Sequence, residues 1–492
     1  MERKLSDQEV VRRKKLQELN DLGLNPYHID KYLRSCSCCQ FKDKYLSFTK
    51  EQLHGNSHQY NLAGRIMAIR QTFGIISDFS GNVQFYINKK EFDPQKFAFF
   101  KKFVDIGDII GITGTPMKTN TNEVTIKVID FIILTKALIP LPEKFHGLLD
   151  PELRARKRYL DLIVNKETKE TFIQRSKIIK YLREYMDENG YYEVETPILT
   201  KILAGAAAKP FITHHNTLDR DYYLRIATEL SLKKLVVGGF EKVYEIGKIF
   251  RNEGMDTTHN PEFTSIEAYA AYADLNDMML LCENLIKYIA QKINKTKFTY
   301  KNVEINFDKP FAKISMVDMI KKIIGVDFNL IKSDIDAINL AKQHNLTLEK
   351  HQQTKGHIIN LFFENYCEDK CLQPTFITDH PLDVSPLAKK DQKNPNFTKR
   401  FELYICGKEY ANAFAELNDP IDQLNRFENQ QNEKKLGNNE ASEIDWDFIN
   451  ALEYGMPPTG GIGIGIDRLV MLLTQKETIN DVLFFPHMKN KK

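Results

Sequence analysis

Phe250-Arg251-Asn252-Glu253 opens a polar loop that closes at His259-Asn260-Pro261-Glu262-Phe263, and Thr264-Ser265-Ile266-Glu267-Ala268-Tyr269 runs on from it. The arms on either side, Val243–Phe250 and Phe263–Tyr269, are β-branched and aromatic, so the stretch reads as two strands around a loop. Alternate side chains of a strand share a face. Phe263, Glu267 and Tyr269 therefore point one way, and Ile266 and Ala268 the other. A ring, a carboxylate and a phenol on one face make a poor core, and an Arg and a His flank them on the loop. The pattern predicts a wall of a binding site, against the plainer alternative of a solvated face with one exposed aromatic.

A second strand pair, Phe401–Tyr404 and Tyr410–Glu416, repeats the theme. Asn412, Phe414 and Glu416 share one face, and Ala411, Ala413 and Ala415 give a small, tightly packing back. Glu402 and Glu409 fall near the ends of the intervening turn, close enough to share a divalent cation. Mg²⁺ favours a few carboxylates together with phosphate oxygens over an all-protein cage. The Gly-rich strand Gly460–Ile466 leads into a helix from Asp467. Its glycines match neither a dinucleotide fingerprint nor a Walker loop. Glycine at alternate positions clears one strand face so that a flat ligand can approach the backbone. Arg468 at the start of the helix is placed to meet a phosphate or stack on a base.

Further out, residues 60–135 hold five short β-branched and aromatic runs with a turn at Ser80-Gly81-Asn82, which predicts a small barrel of the OB type. Pro140 and Pro142 mark a linker. Upstream, Ser6-x-x-Glu9 is a capping box for a helix that ends before Gly23 and Pro26. Residues 1–15 carry Arg3, Lys4, Arg12, Arg13, Lys14 and Lys15 against Glu2, Asp7 and Glu9. The strip reads as a solvated face or as a phosphate contact. Thr171–Asn189 reads as an amphipathic helix stopped by Gly190, and Asp277–Ile293 as another. Residues 300–372 read as mainly helical, without chemistry of their own. Arg154, Arg156 and Arg158 sit at the junction as a hinge or a nucleic-acid contact.

The 492 residues point to several domains, and 42% hydrophobic with 27% charged residues is ordinary for a globular chain. A net charge of +3 excludes a histone-like polycation but not a local basic patch. Only 17 of the 69 basic residues are arginine, so an arginine inside a motif carries weight. The N-terminus lacks the apolar core of a signal peptide, and no run of about 18 apolar residues predicts a spanning helix. Seven scattered cysteines fit a reducing cytoplasm. Cys36, Cys38 and Cys39, with His54 and His58, match no standard zinc spacing and read as ordinary thiols.

Tyr191–Leu199, Phe250–Phe263 and Gly461–Arg468, in that order, resemble the three signature motifs of the class II aminoacyl-tRNA synthetases. Between them, Lys209-Pro-Phe-Ile-Thr-His-His-Asn216, Lys234-Leu-Val-Val-Gly-Gly239, His380-Pro-Leu-Asp-Val-Ser-Pro-Leu-Ala388 and Glu416-Leu-Asn-Asp419 are similar to the lysyl family of the lysyl, aspartyl and asparaginyl subgroup. The likeness runs over about residues 5–488. It implies an α+β chain: residues 1–58 an N-terminal basic helical segment, 59–140 an OB-fold anticodon-binding domain, and 141–492 a catalytic domain with a mainly antiparallel sheet flanked by helices and a helical insertion over 300–372.

The resemblance implies a lysine–tRNA ligase that makes lysyl-adenylate from L-lysine and ATP and passes lysine to the 3′ end of lysine tRNA. It further implies Mg²⁺, a cytoplasmic setting and a homodimer through the first motif, with no membrane partner. Arg251 and Arg468 would be catalytic and would bind ATP together with Glu253, His259, Asn260 and Phe263. Glu402 and Glu409 would carry Mg²⁺. Gly205, Glu229, Arg251, Glu267, Tyr269, Asn412, Phe414 and Glu416 would bind lysine, whose two ammonium groups need carboxylates. An aspartate pocket would need a cation where Glu416 stands. Arg70, Phe73, Gln84 and Glu123 would read the anticodon by stacking and base-edge contacts. Ala204, Thr228 and Ser231 depart from the family pattern. The alternatives are a lysine-activating paralogue that modifies a protein, or a silent tRNA-binding protein.

Overall fold

The computed structural model describes residues 4–142, 148–203, 205–206, 208–438 and 443–489. Glu2, Arg3 and Ala204 lie outside the described residues. Contacts divide the chain into two compact units, Met1–Gly147 and Leu148–Lys492.

In the first unit Ser6 caps the helix Asp7–Asp21, with both bonds of the capping box formed. Such a cap stabilises by about 1 kcal/mol. Within the basic strip Lys4 and Lys14 are exposed, whereas two of the cations are taken up by the protein itself. Arg12 is buried and donates to the Ala137 and Ile106 carbonyls at 2.7 and 3.0 Å, and Lys15 pairs with Asp105 at 2.6 Å. These cations fasten the helix to the barrel because the barrel's loop ends present carbonyls and a carboxylate there.

The barrel is closed by β1 (Tyr60–Arg70), β2 (Phe73–Ser77), β3 (Asn82–Tyr86), β4 (Ile109–Lys118) and β5 (Val124–Thr135) in the order β1-β2-β3-β5-β4. Leu62, Ile66, Ile76, Val83, Phe85, Ile110, Ile112 and Ile126 alternate inward and fill its core. Cys39 donates to the Ser80 carbonyl at 2.9 Å. Among the described residues no three His, Cys, Asp or Glu side chains are grouped to hold a metal.

The second unit introduces β6 (Tyr192–Glu193), then a separate sheet of β7 (Leu199–Thr200), β8 (Ile212–His215) and β9 (Arg220–Leu224). There follow β10 (Lys242–Phe250), β11 (Glu262–Ala271), the pair β12 (Lys297–Tyr300) and β13 (Val303–Asn306), β14 (Ala312–Ser315), β15 (Thr375–Thr378), β16 (Arg400–Ile405), β17 (Lys408–Ala415) and β18 (Thr459–Gly465). The main sheet runs β14-β15-β16-β17-β18-β11-β10-β6. It is antiparallel except at its two edges, where β14 pairs β15 and β6 pairs β10 in parallel.

One face of this sheet is core. Ile266, Ala268, Ala270, Ala411, Ala413, Ile462 and Ile464 are buried there with the helices Lys166–Glu188, Leu275–Lys292 and Ile466–Leu473. Small alanines let the Leu275–Lys292 helix lie close, and its Met278, Cys282, Leu285 and Ile289 fill the contact.

Two readings need correction. The insertion is helical only from Met316 (Met316–Ile324, Asp334–Gln343, Lys355–Tyr366), whereas its start is strand. Phe298 and Tyr300 are buried while Lys297 and Thr299 are exposed, and Lys301 and Asn302 both have positive φ, at 47° and 63°. That is the alternation and primed turn of a hairpin. Tyr191-Tyr-Glu-Val-Glu reads as a strand from its β-branched and aromatic residues, yet only Tyr192–Glu193 is strand. Arg154 and Arg158 are held by Asp161 at 3.0 and 2.5 Å, with Arg158 fully buried, so they knit the start of the unit together.

Candidate active site

The other face of the sheet forms the floor of a cavity of about 730 Å³, lined by every residue expected to bind ATP, Mg²⁺ or lysine. Strand register builds the floor as a grid. Glu267, Gly463 and Asn412 are aligned across β11, β18 and β17, and Asn412 pairs Glu402 on β16. The next row is Tyr269, Gly461, Phe414 and Arg400. The glycine row was expected to clear a path for a flat ligand. At Gly461 the space is instead taken by the chain itself, because a Cβ there would collide with Glu416 and Tyr269. At Gly463 an added Cβ would meet nothing closer than 3.6 Å.

One end of the cavity is cationic. The Arg251 guanidinium lies 5.3 Å from the centre of the Phe263 ring, and its Nε has no hydrogen-bond partner although it is buried. The backbone of Arg251 is pinned by its N–H to the Pro261 carbonyl at 2.8 Å. A fixed cation with a spare donor facing a cavity is an anion receptor. Arg468 donates to the Glu409 carbonyl at 2.7 Å and meets His259 Nε2 at 3.2 Å. Asp256 holds His259 through Nδ1 at 2.8 Å. Asn260 is buried, donating to the Glu262 carbonyl at 2.6 Å and accepting from the His487 N–H at 3.3 Å. Asp467 ties the helix start to β11 by accepting the Thr264 N–H at 2.7 Å.

Glu402 and Glu409 stand beside these cations. Burial pushes the Glu402 carboxyl up, but Arg400, His380 and Tyr404 outweigh it and hold it below the usual range. Arg400 and the Tyr404 hydroxyl donate to Glu402 at 2.6 and 2.7 Å. Glu409, enclosed by protein although 41% of its side chain meets cavity solvent, is pushed up to about 7 by burial and by Glu402. Two hard carboxylates in mutual repulsion fit a divalent cation, which would relieve that repulsion.

The opposite end is acidic. Glu229 opens the helix Glu229–Val237, and Thr228 gives that helix no side-chain cap. Glu267 supplies one from the sheet, accepting the Thr228 N–H at 3.1 Å and the Tyr269 hydroxyl at 3.1 Å. Burial, then Glu229, pushes its carboxyl up. Gly205 lies near Glu229 with φ at +94°, a conformation suited to glycine.

Sequence reasoning missed Lys233. It is fully buried, pairs with Glu229 at 2.5 Å and also pairs with Glu416. Its signal was an i,i+4 Glu–Lys pair in the otherwise apolar run Leu-Ser-Leu-Lys-Lys-Leu-Val-Val. Glu229 and Glu416 thus share one ammonium, and Glu267 stands close to both carboxylates. Arg400 was also missed. It donates to Asn412 Oδ1 at 3.0 Å as well as to Glu402, and so joins the acidic pair to the grid.

In the barrel, Phe73 and Tyr86 pair across β2 and β3 and stack with ring centres 4.6 Å apart. Both rings lie on the half-exposed outer face, while Gly74, Ile76, Val83 and Phe85 face the core. Arg70 pairs with Phe73 across the turn. Gln84 accepts from Thr125 at 2.9 Å, and Glu123 pairs with Lys42 at 2.7 Å. Tyr86 was not foreseen from the sequence.

A closed OB-type barrel, a mainly antiparallel sheet and a cavity lined by the second and third motifs define a class. Residues 150–489 match the family model of class II tRNA synthetases (D, K and N), residues 60–134 match that of the OB-fold nucleic acid binding domain, and the chain belongs to this synthetase family. Within it, the chain is 58% identical over 492 residues to the lysine–tRNA ligase of Malacoplasma penetrans strain HF-2. It is 53% identical over 493 residues to that of Mycoplasmoides gallisepticum and 51% over 498 residues to that of Staphylococcus haemolyticus. Each comparison spans 100% of both chains.

Proposed function

We infer that this chain is a lysine–tRNA ligase. The observation that carries the reading is the acidic end of the cavity, where Glu229, Glu267 and Glu416 outnumber Lys233, opposite an end carrying Arg251 and Arg468. A substrate with two ammonium groups suits the first end and a triphosphate the second.

In the first step the lysine carboxylate attacks the α-phosphorus of ATP, forming lysyl-adenylate as pyrophosphate leaves. In the second, the ribose hydroxyl at the tRNA 3′ end attacks the activated carbonyl and AMP leaves. No side-chain nucleophile is needed, so the protein's work is positioning and charge stabilisation. Arg251 is assigned to the α-phosphate and the lysine carboxylate, with Asn412 beside it. Phe263 stacks on one face of the adenine and Arg468 meets its other face and the γ-phosphate. Glu253, His259 and Asn260 line that pocket. Glu416 and Tyr269 take the ε-ammonium, Glu229 and Gly205 the α-ammonium, and Phe414 the aliphatic stem.

Glu402 and Glu409 would hold Mg²⁺, which neutralises phosphate charge when bound. Phe73, with Arg70, Gln84 and Glu123, reads the anticodon from the barrel's outer face. Tyr192, Ile198, Leu199 and Ile212 are exposed apolar side chains in or near the first motif, which supports a homodimer there. Seven free thiols support a cytoplasmic setting, and among the described residues no helix is long and apolar enough to cross a membrane.

The test is charging of lysine tRNA by the purified chain with ATP, Mg²⁺ and lysine. Lysyl-tRNA is the expected product. Lysine activation without tRNA charging would overturn the reading in favour of a protein-modifying relative.

A further inference from the structure

Lys233 lies one helical turn beyond Glu229 with none of its side-chain surface open to solvent. Its ammonium pairs with Glu229 from its own helix and with Glu416 from the end of the sheet. It also lies 5.4 Å from the centre of the Phe414 ring and 5.9 Å from that of Phe448. A buried ammonium costs several kcal/mol to desolvate and persists only when its partners are well placed. Here the partners are two carboxylates assigned to the two ends of one substrate.

We propose that Lys233 is a positioning and specificity-determining residue: its ammonium bridges Glu229 and Glu416 and sets the separation of the two acceptors. The pocket then takes an amino acid with two ammonium groups. The proposal rests on the lysine-binding reading above.

The groups facing Glu416 are Lys233 and Glu229 from the helix, Glu267 and Tyr269 from β11, and Lys389 from the preceding loop. Burial pushes the Glu416 carboxyl well up, Glu229 and Glu267 add to that, and Lys233 opposes it without cancelling it. Without Lys233 the two carboxylates lose the group that spans them, and selectivity for a substrate with two ammonium groups falls.

Calorimetry at pH 7.5 compares lysine with norleucine, which keeps the aliphatic stem and lacks the ε-ammonium, on the wild-type chain and on Lys233→Met. In Lys233→Met the preference for lysine over norleucine should fall about tenfold or more, equivalent to about 1.4 kcal/mol, while ATP affinity is unchanged. An unchanged preference in a folded variant would overturn the proposal. If Lys233→Met does not fold, Lys233→Gln is measured in the same way and the same outcomes decide. Absence of any lysine binding to the wild type sinks the ligase reading itself, whereas lysine binding with an unchanged preference in the variant sinks only the role of Lys233.

Discussion

Glu267, a residue of the sheet, caps a helix to which it does not belong: its Oε1 accepts the Thr228 backbone N–H at 3.1 Å. The first turn of that helix carries Glu229, so the bond sets where Glu229 stands. Replacing Glu267 by Ala leaves a helix N-terminus without a side-chain acceptor, a loss of about 1 kcal/mol. Thermal unfolding should register that loss. Lysine KM should rise while ATP KM holds, and equal change in both would mean Glu267 serves stability alone.

Arg251 donates no hydrogen bond through Nε and rests against Phe263. Its side chain thus leaves a donor unused by the fold, which suits the ligand role proposed for it. Arg251→Ala should lower the kcat of pyrophosphate exchange by about 100-fold or more, the usual scale for losing a transition-state donor, with Tm nearly unchanged. A similar loss in Tm and a small loss in kcat would reverse that assignment.

Glu416→Gln keeps the shape of the pocket and removes one negative charge beside Lys233. Lysine activation should weaken about tenfold or more, the scale of losing a buried charged partner, and ATP binding by calorimetry should persist. Unchanged lysine KM and kcat would remove Glu416 from the pocket.

His380 is buried, and burial pulls its pKa down from 6.5 to about 4. Its Nε2 is 3.1 Å from the Ile377 carbonyl, which fits a neutral ring donating there. The unfolded chain binds the proton more readily, so this contribution is complete above pH 6.5 and is lost as pH falls towards 4. It amounts to at most about 3 kcal/mol. Glu409, with a raised pKa, acts in the opposite sense, so the comparison must be wild type against His380→Asn. Between pH 7 and 4.5 the wild type should lose more stability in urea unfolding than the variant; parallel curves would contradict this.

Phe73 and Tyr86 form a stacked, half-exposed pair on the barrel. Base stacking on such a ring is worth about 1–3 kcal/mol. Phe73→Ala should raise the KM for tRNA in charging and leave pyrophosphate exchange untouched. An equal loss in both assays would make Phe73 a packing residue.

The motif strands were legible because period-two alternation in Phe263–Tyr269 and Tyr410–Glu416 separates polar site from alanine-rich core without tertiary information. The barrel was legible for the same reason. Lys233 was not, because a lysine at i+4 from a glutamate looks like a surface pair, and only the approach of Glu416 from the sheet buries it. The structural role of Arg12 in the basic N-terminal strip was hidden likewise: it meets carbonyls more than ninety residues away in sequence. Gly461 shows the limit of reading a face from glycines, since the cleared space is filled by Glu416 and Tyr269. The hairpin at 297–306 was hidden by Lys and Asn in its turn, which take positive φ there.

The central claim is that the acidic end of the cavity selects lysine within a family that also activates aspartate and asparagine. Amino-acid-dependent exchange of labelled pyrophosphate into ATP, run with lysine, aspartate and asparagine on the same preparation, tests it most directly. Lysine alone should drive exchange. Exchange driven by aspartate or asparagine, or by none of the three, would contradict the account.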